Sequence, residues 1–142
     1  MALMSDEIRE EVREYLAKMT APVTVAYYPK DGDGASEAME QLLNELAAVN
    51  PLVRPERRSG PPEAIAPERP EDIESVVTVL EVDGRRTGIR YLGFPGGREF
   101  GTFLEALVTV STEAAPTLSE ATRAFLAQIH QPVHLEVFTT PT

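Results

Sequence analysis

The chain of 142 residues has no cysteine. It can therefore form no disulfide, no thiolate nucleophile and no thiolate metal site. It also lacks a basic surplus: 13 Lys and Arg stand against 23 Asp and Glu, a formal net charge of −10. Non-specific nucleic-acid binding needs the opposite footprint, and this acidic balance chiefly favours solubility. No apolar run reaches the ~20 residues of a membrane-spanning helix. The opening MALMSDEIREEVREYL has neither the basic n-region nor the apolar core of a secretory signal, so the expected location is the cytoplasm. Asn and Gln are few, Arg far outnumbers Lys, and there are 12 prolines. Such a composition suits a thermophile or a GC-rich genome.

What is present is patterned. The length fits one domain or slightly more, and 42% hydrophobic residues suffice for a core. Ser5 is placed to cap a helix whose first turn holds Asp6 and Glu7, with Ile8, Val12, Tyr15, Leu16 and Met19 on one face. Val23–Tyr28, VTVAYY, reads as a strand. After the polar loop Pro29–Gly34 a helix is expected over 35–48, burying Met39, Leu42, Leu43 and Leu46. The proline-rich stretch 51–70 has room for a short edge strand near 52–56, then an extended loop. Ser75–Val82 is the clearest strand; Asp83-Gly84 is a hairpin turn, and Thr87–Leu92 the partner strand. Pro95, Gly96 and Gly97 turn the chain into a helix carrying Phe100, Phe103, Leu104, Leu107 and Val108. Thr117-Leu-Ser-Glu120 reads as a capping box for a helix over 118–129 that buries Ala121, Phe125 and Ile129. Val133–Phe138, VHLEVF, reads as a last strand, expected to pair with the sheet. The middle of this order, β-α-β-β-β-α, is that of a thioredoxin-like α/β fold: a central mixed sheet with flanking helices, here with an extra N-terminal helix and a C-terminal helix and strand.

Motifs with chemistry are few. The GGRE corner lacks the spacing of a P-loop or dinucleotide fingerprint, and the structural turn is the favoured reading over phosphate binding. Asp31 and Asp33 with Gly32 and Gly34 faintly suggest a calcium loop, but Ala35 and Leu42 occupy the fifth and twelfth places, where oxygen ligands belong. Capping of the helix by Asp33 or Ser36 is the plainer reading. His130 and His134 straddle a helix end and Pro132, which argues against a metal pair. Ser36, Ser111 and Ser119 have no evident histidine partner for a triad. Arg85-Arg86 reads as a solvated hairpin tip, with a docking contact as the sharper alternative. No carboxylate pair stands out for acid–base work.

The stretch Gly88–Ser111, GIRYLGFPGGREFGTFLEALVTVS, resembles the end of the first thioredoxin-fold unit of the two-unit, glutaredoxin-like protein disulfide oxidoreductases. More distantly, it resembles the N-terminal domain of the flavoprotein subunit of alkyl hydroperoxide reductase. Val133–Thr142 is similar to the first strand of the family's second unit, which there runs into a CPYC-type redox motif, and 118–129 to the connector between units. The resemblance implies a degenerate unit over 1–111, then a connector helix and the first strand of a missing second unit over 112–142. Carried over by position, the redox motif falls on Asp33, Gly34, Ala35 and Ser36, and the family's cis-proline on Val76. A cis bond before valine would cost about 2.5–4 kcal/mol, so a trans peptide is expected there.

The implied function is a non-catalytic scaffold unit of a disulfide oxidoreductase, with dithiol–disulfide exchange residing in the second unit. The chain alone would be no enzyme and would hold no cofactor or metal. Its partner would be that second unit or another protein, and an open sheet edge favours a homodimer; nucleic acid and membrane are not expected. The alternative is a free-standing, cysteine-free thioredoxin-like binding module.

Overall fold

The computed structural model describes residues 1–60 and 73–138. Its elements run α1 (Asp6–Leu16), β1 (Val23–Tyr28), α2 (Gly34–Val49), β2 (Val53–Arg57), β3 (Val77–Val82), β4 (Arg85–Leu92), α3 (Arg98–Thr112) and α4 (Glu120–Leu126). The Ser5 hydroxyl accepts the Ile8 N–H at 3.2 Å, capping α1. The strands form one sheet in the order β2-β1-β3-β4. β1 and β2 are parallel across the α2 crossover, Val23 opposite Val53. β3 runs antiparallel to β1 and to β4. In the β3–β4 turn, Asp83 and Gly84 both have positive φ, 52° and 72°, the requirement of a type I′ hairpin.

Side-chain alternation divides the sheet into two unlike faces. Val23, Val25, Val53, Val76 and Leu80 share one core with Leu16 of α1, Met39 and Leu43 of α2, and Phe103 and Leu107 of α3. The three helices therefore cover one face. Tyr91 on β4 meets Phe103 edge-on, with centroids 5.1 Å apart. The opposite face carries a small cluster of Ala26, Val77 and Val79, with Tyr28 and Ile73 against it. Arg58, just past β2, reaches over β1 to β3. Its guanidinium meets Glu81 bidentately at 2.8 and 2.9 Å and Glu56 at 2.9 Å.

A buried serine closes the helical side. The Ser111 hydroxyl, at the end of α3, accepts the N–H groups of Thr20 and Ala21, each at 3.0 Å, and donates to the Ala21 carbonyl at 2.6 Å. The Thr20 hydroxyl returns a bond to the Ser111 carbonyl at 3.0 Å.

The C-terminal part differs from expectation. α4 starts at Glu120, capped by the Ser119 hydroxyl on the Thr122 N–H at 3.1 Å, rather than by a box built on Thr117. It ends at Leu126, short of Ile129. Ala121, Phe125 and Ile129, expected to be buried, are all exposed, Phe125 at 66%. Periodicity shows that a helix has an apolar side; it does not supply the surface that covers it. The expected strand Val133–Phe138 is exposed and without regular structure. A strand exists only through the hydrogen bonds of a neighbouring strand, and no described strand lies beside it. The expected C-terminal strand and its pairing with the sheet are thus absent from the described fold. Most of the loop expected after β2 lies outside the described residues.

Candidate functional site

The C-terminal end of β1 delivers a polar loop to the N-terminus of α2. A helix start has unpaired N–H groups and a positive dipole end, which suit a carboxylate. Asp33 is the N-cap. Its carboxylate accepts the N–H groups of Ala35 at 3.3 Å and Ser36 at 3.0 Å. It also accepts the Ser36 hydroxyl at 2.7 Å and, from 42 residues away, the Ser75 hydroxyl at 2.7 Å. Ser36 is buried, and its oxygen accepts the Lys30 N–H at 2.9 Å, folding the loop onto the helix. The hydroxyls of Ser75 and Ser36, assisted by the two backbone donors, lower the Asp33 pKa to about 2, outweighing the opposing desolvation.

Asp33, Gly34, Ala35 and Ser36 lie together at the start of α2, and it is Ser75 rather than Val76 that joins them. Gly34 and Ala35 form the first turn of α2, and Ser36 and Asp33 interlock. Val76 is in a trans peptide, as all described peptide bonds are, and its buried side chain faces the helical core. Its carbonyl accepts the Gly93 N–H at 2.8 Å. The residue that turns toward Asp33 is instead Ser75. From sequence Ser75 reads only as the start of a strand, and its place directly before Val76 is the available signal.

Chemically this corner is closed. Four protein donors occupy the Asp33 oxygens, and a carboxyl with a pKa of about 2 is a poor base near neutrality. The capping reading of Asp33 therefore holds. Among the described residues no group of three or more His, Asp or Glu is arranged to hold a metal ion. Beside the corner lies a cleft of about 370 Å³, bounded by Tyr28, Lys30, Arg57, Arg58 and Ser75. Its arginines are paired: Arg57 with Glu40 at 2.9 Å and Arg58 with Glu81. Hydrogen bonds to Glu81 first and then to Glu56 raise the Arg58 pKa above its ordinary value, so it stays charged. Nothing local announces the Arg58–Glu81 pair, since another strand lies between the two in the sheet.

The remaining sequence candidates stay apart from this corner. His130 lies past the end of α4, while His134 Nε2 is 2.8 Å from Glu136 Oε1. Arg85 and Arg86 open β4 at the hairpin, and Arg86 Nε lies 4.0 Å from Glu81 Oε1. Gly97 is the N-cap of α3, at φ 57° and ψ −125°. Glycine is the residue that adopts such a backbone without strain, which accounts for the corner structurally.

No protein-family model matches the chain, and no curated protein matches it. Solved structures do. One is a mutant of the alkylhydroperoxide reductase AhpF from Enterococcus faecalis (V583), with a TM-score of 0.71 and 24% identity over 87% of this chain. The NTD_N/C domain of AhpF from the same organism matches with the same values. A protein disulfide oxidoreductase from Aeropyrum pernix K1 gives a TM-score of 0.63 and 23% identity over 87% of this chain. The chain spans 60% of the length of the first two and 54% of the third. No described helix is long and apolar enough to cross a membrane. With its mixed four-stranded sheet and flanking helices, the chain has the thioredoxin-like α/β fold that it shares with these neighbours.

Proposed function

We propose that this chain is a non-catalytic thioredoxin-fold scaffold of a cytoplasmic disulfide oxidoreductase system, with dithiol–disulfide exchange carried by a second unit. The observation that supports this reading is the corner at the start of α2. A thioredoxin-like fold places a reactive thiol at the N-terminus of the helix after the first strand, where dipole and N–H groups stabilise a thiolate. Here Asp33 supplies the anion, and Ser36 and Ser75 bind it. The corner keeps its electrostatic design with a carboxylate that cannot form a disulfide. Asp33 to Ser36 would then be a retired redox motif and Val76 a retired cis-proline position. Residues 112–142 would serve as the connection toward the active unit.

Insulin reduction by dithiothreitol tests the absence of activity. The expected rate with the chain equals that with an inert protein; a protein-dependent increase would overturn the proposal. Replacing both Asp33 and Ser36 with cysteine tests the ancestry of the corner. Slow exchange is expected from the double variant, and faster exchange when Val76→Pro is added. A double variant already as fast as a glutaredoxin would remove Val76 from the account.

A further inference from the structure

Three Asp-Gly pairs occur in the chain: Asp31-Gly32, Asp33-Gly34 and Asp83-Gly84. Such a pair can rearrange without an enzyme. The glycine backbone nitrogen attacks the side-chain carboxyl carbon of the aspartate. A C–N bond forms, a C–O bond breaks, and the oxygen leaves as water. Water then opens the cyclic imide at either carbonyl, returning aspartate or giving isoaspartate, whose main chain runs through Cβ. Glycine favours the attack because it has no Cβ to shield its nitrogen and its backbone turns freely. By composition the three pairs are equivalent, but the fold treats them differently. We infer that Asp31-Gly32 is the isomerisation site of the folded chain and that the other two pairs are protected. The inference is independent of the scaffold reading above.

Asp33 is protected by its partners. Its carboxylate accepts from Ala35 N–H, Ser36 N–H and the hydroxyls of Ser36 and Ser75. It cannot swing to the Gly34 nitrogen without giving up these charge-assisted bonds. Gly34 is the first residue of α2, so closing the ring would also unwind that turn. Water leaves from the protonated acid, and a pKa of about 2 keeps that form scarce. Asp83 is protected by the ladder. Val82 pairs with Arg85 across the two-residue turn, and Asp83 and Gly84 hold φ at 52° and 72°. Ring closure rotates the peptide plane between them, which this turn does not allow while its flanking pair is formed.

Asp31 has neither restraint. It lies between β1, which ends at Tyr28, and α2, which starts at Gly34. Among the described residues, neither its carboxylate nor the Gly32 N–H has a hydrogen-bond partner. Both residues are exposed, and no atom lies within 4 Å of where a Gly32 side chain would begin. Asp31 also borders the cleft beside the corner, which leaves its carboxylate room to turn. Local excursions cost least in an exposed loop with few contacts. The product acts on the corner. The Asp33 N–H donates to the Lys30 carbonyl at 3.3 Å, and the Lys30 N–H to the Ser36 hydroxyl at 2.9 Å. An extra methylene in the main chain at position 31 lies inside that closed loop and loosens the seat of the α2 cap.

The full chain is incubated at body temperature and mildly acidic pH, in buffer and in concentrated urea. Peptide mapping with electron-transfer fragmentation then reads isoaspartate at each pair, and each rate in buffer is compared with that pair's own rate in urea. Asp31 should keep its urea rate within a few-fold, while Asp33 and Asp83 should slow by about tenfold or more. An Asp31 rate that falls with the other two, or an Asp33 or Asp83 rate that does not fall, would overturn the inference. Methyl incorporation by a protein isoaspartate methyltransferase gives a second readout. Asp31→Glu, whose longer side chain closes a less favourable ring, should bring it to background; an undiminished signal would place the site elsewhere. The isomerised fraction, separated by ion exchange, should unfold at lower urea than the unmodified chain, and an equal midpoint would break the link to the α2 cap.

Discussion

Residues 4–112 and 113–138 are both rich in apolar side chains at regular spacing, yet their outcomes are opposite. In the body, Phe103 is wholly buried and meets Tyr91 edge-on. In the arm, Phe125 sits on a capped helix of good sequence and is 66% exposed. Both helices carry an acidic first turn and an apolar side, and α4 has a side-chain cap as well. The difference lies in what faces them. α3 lies over a sheet that presents Leu80 and Val25 to it, while α4 has no described surface against it. Local patterning specifies an element; burial requires a second element already in place.

The largest test of this contrast is a matched pair of truncations. Phe103→Ala should cost about 3–5 kcal/mol in urea unfolding, from lost transfer energy and the cavity left behind. Phe125→Ala, measured at low protein concentration, should stay within about 0.5 kcal/mol. Similar losses for the two would show that the arm packs on the body in solution.

A smaller effect of opposite sign is expected inside the body. The Thr78 hydroxyl is buried with no hydrogen-bond partner among the described residues. Thr78→Val keeps the shape and removes a desolvated donor, so it should raise stability by about 1 kcal/mol. A loss instead would mean that the hydroxyl has a partner in solution.

The smallest effect is confined to acid. Because the folded state holds the Asp33 pKa at about 2, below its ordinary 3.8, the charged form is favoured by folding. That stability is full above the unfolded value and is lost as pH falls from about 4 toward 2. Asp33→Asn should flatten the urea midpoint over that window. An unchanged acid slope would show that the carboxylate is not held as described.

These contrasts also mark what could be read from sequence. β1 was legible residue for residue, because VTVAYY is β-forming throughout and bounded by Pro22 and Pro29. The hairpin followed from Asp83-Gly84, which can adopt positive φ twice. Asp33 as a cap was within reach for the same local reasons. Ser75 was not, since its bond to Asp33 joins segments 42 residues apart. The Arg58–Glu81 pair was hidden likewise, set by strand order rather than by spacing. The arm differs in the other direction: its amphipathic spacing predicts a burial that no described surface provides. The family resemblance helped with the fold, but it could not show which neighbour Asp33 would bind.

Ser111 carries a consequence for the order of events in folding. Its bonds to Thr20 and Ala21 join residues about 90 apart in sequence, whereas the β3–β4 hairpin closes across a tight turn. Long loops close late because chain entropy opposes them until other contacts have formed. Docking the end of α3 beside the start of β1 is therefore expected on the native side of the rate-limiting barrier. Ser111→Ala, which strands buried donors, should cost about 1–3 kcal/mol. Nearly all of that loss should appear as faster unfolding, about tenfold for each 1.4 kcal/mol, with the refolding arm of the chevron unmoved. A slowed refolding arm would place this clasp in the nucleus instead. On the expected outcome, the serine sets how long the native state lasts and has little influence on how quickly it is reached.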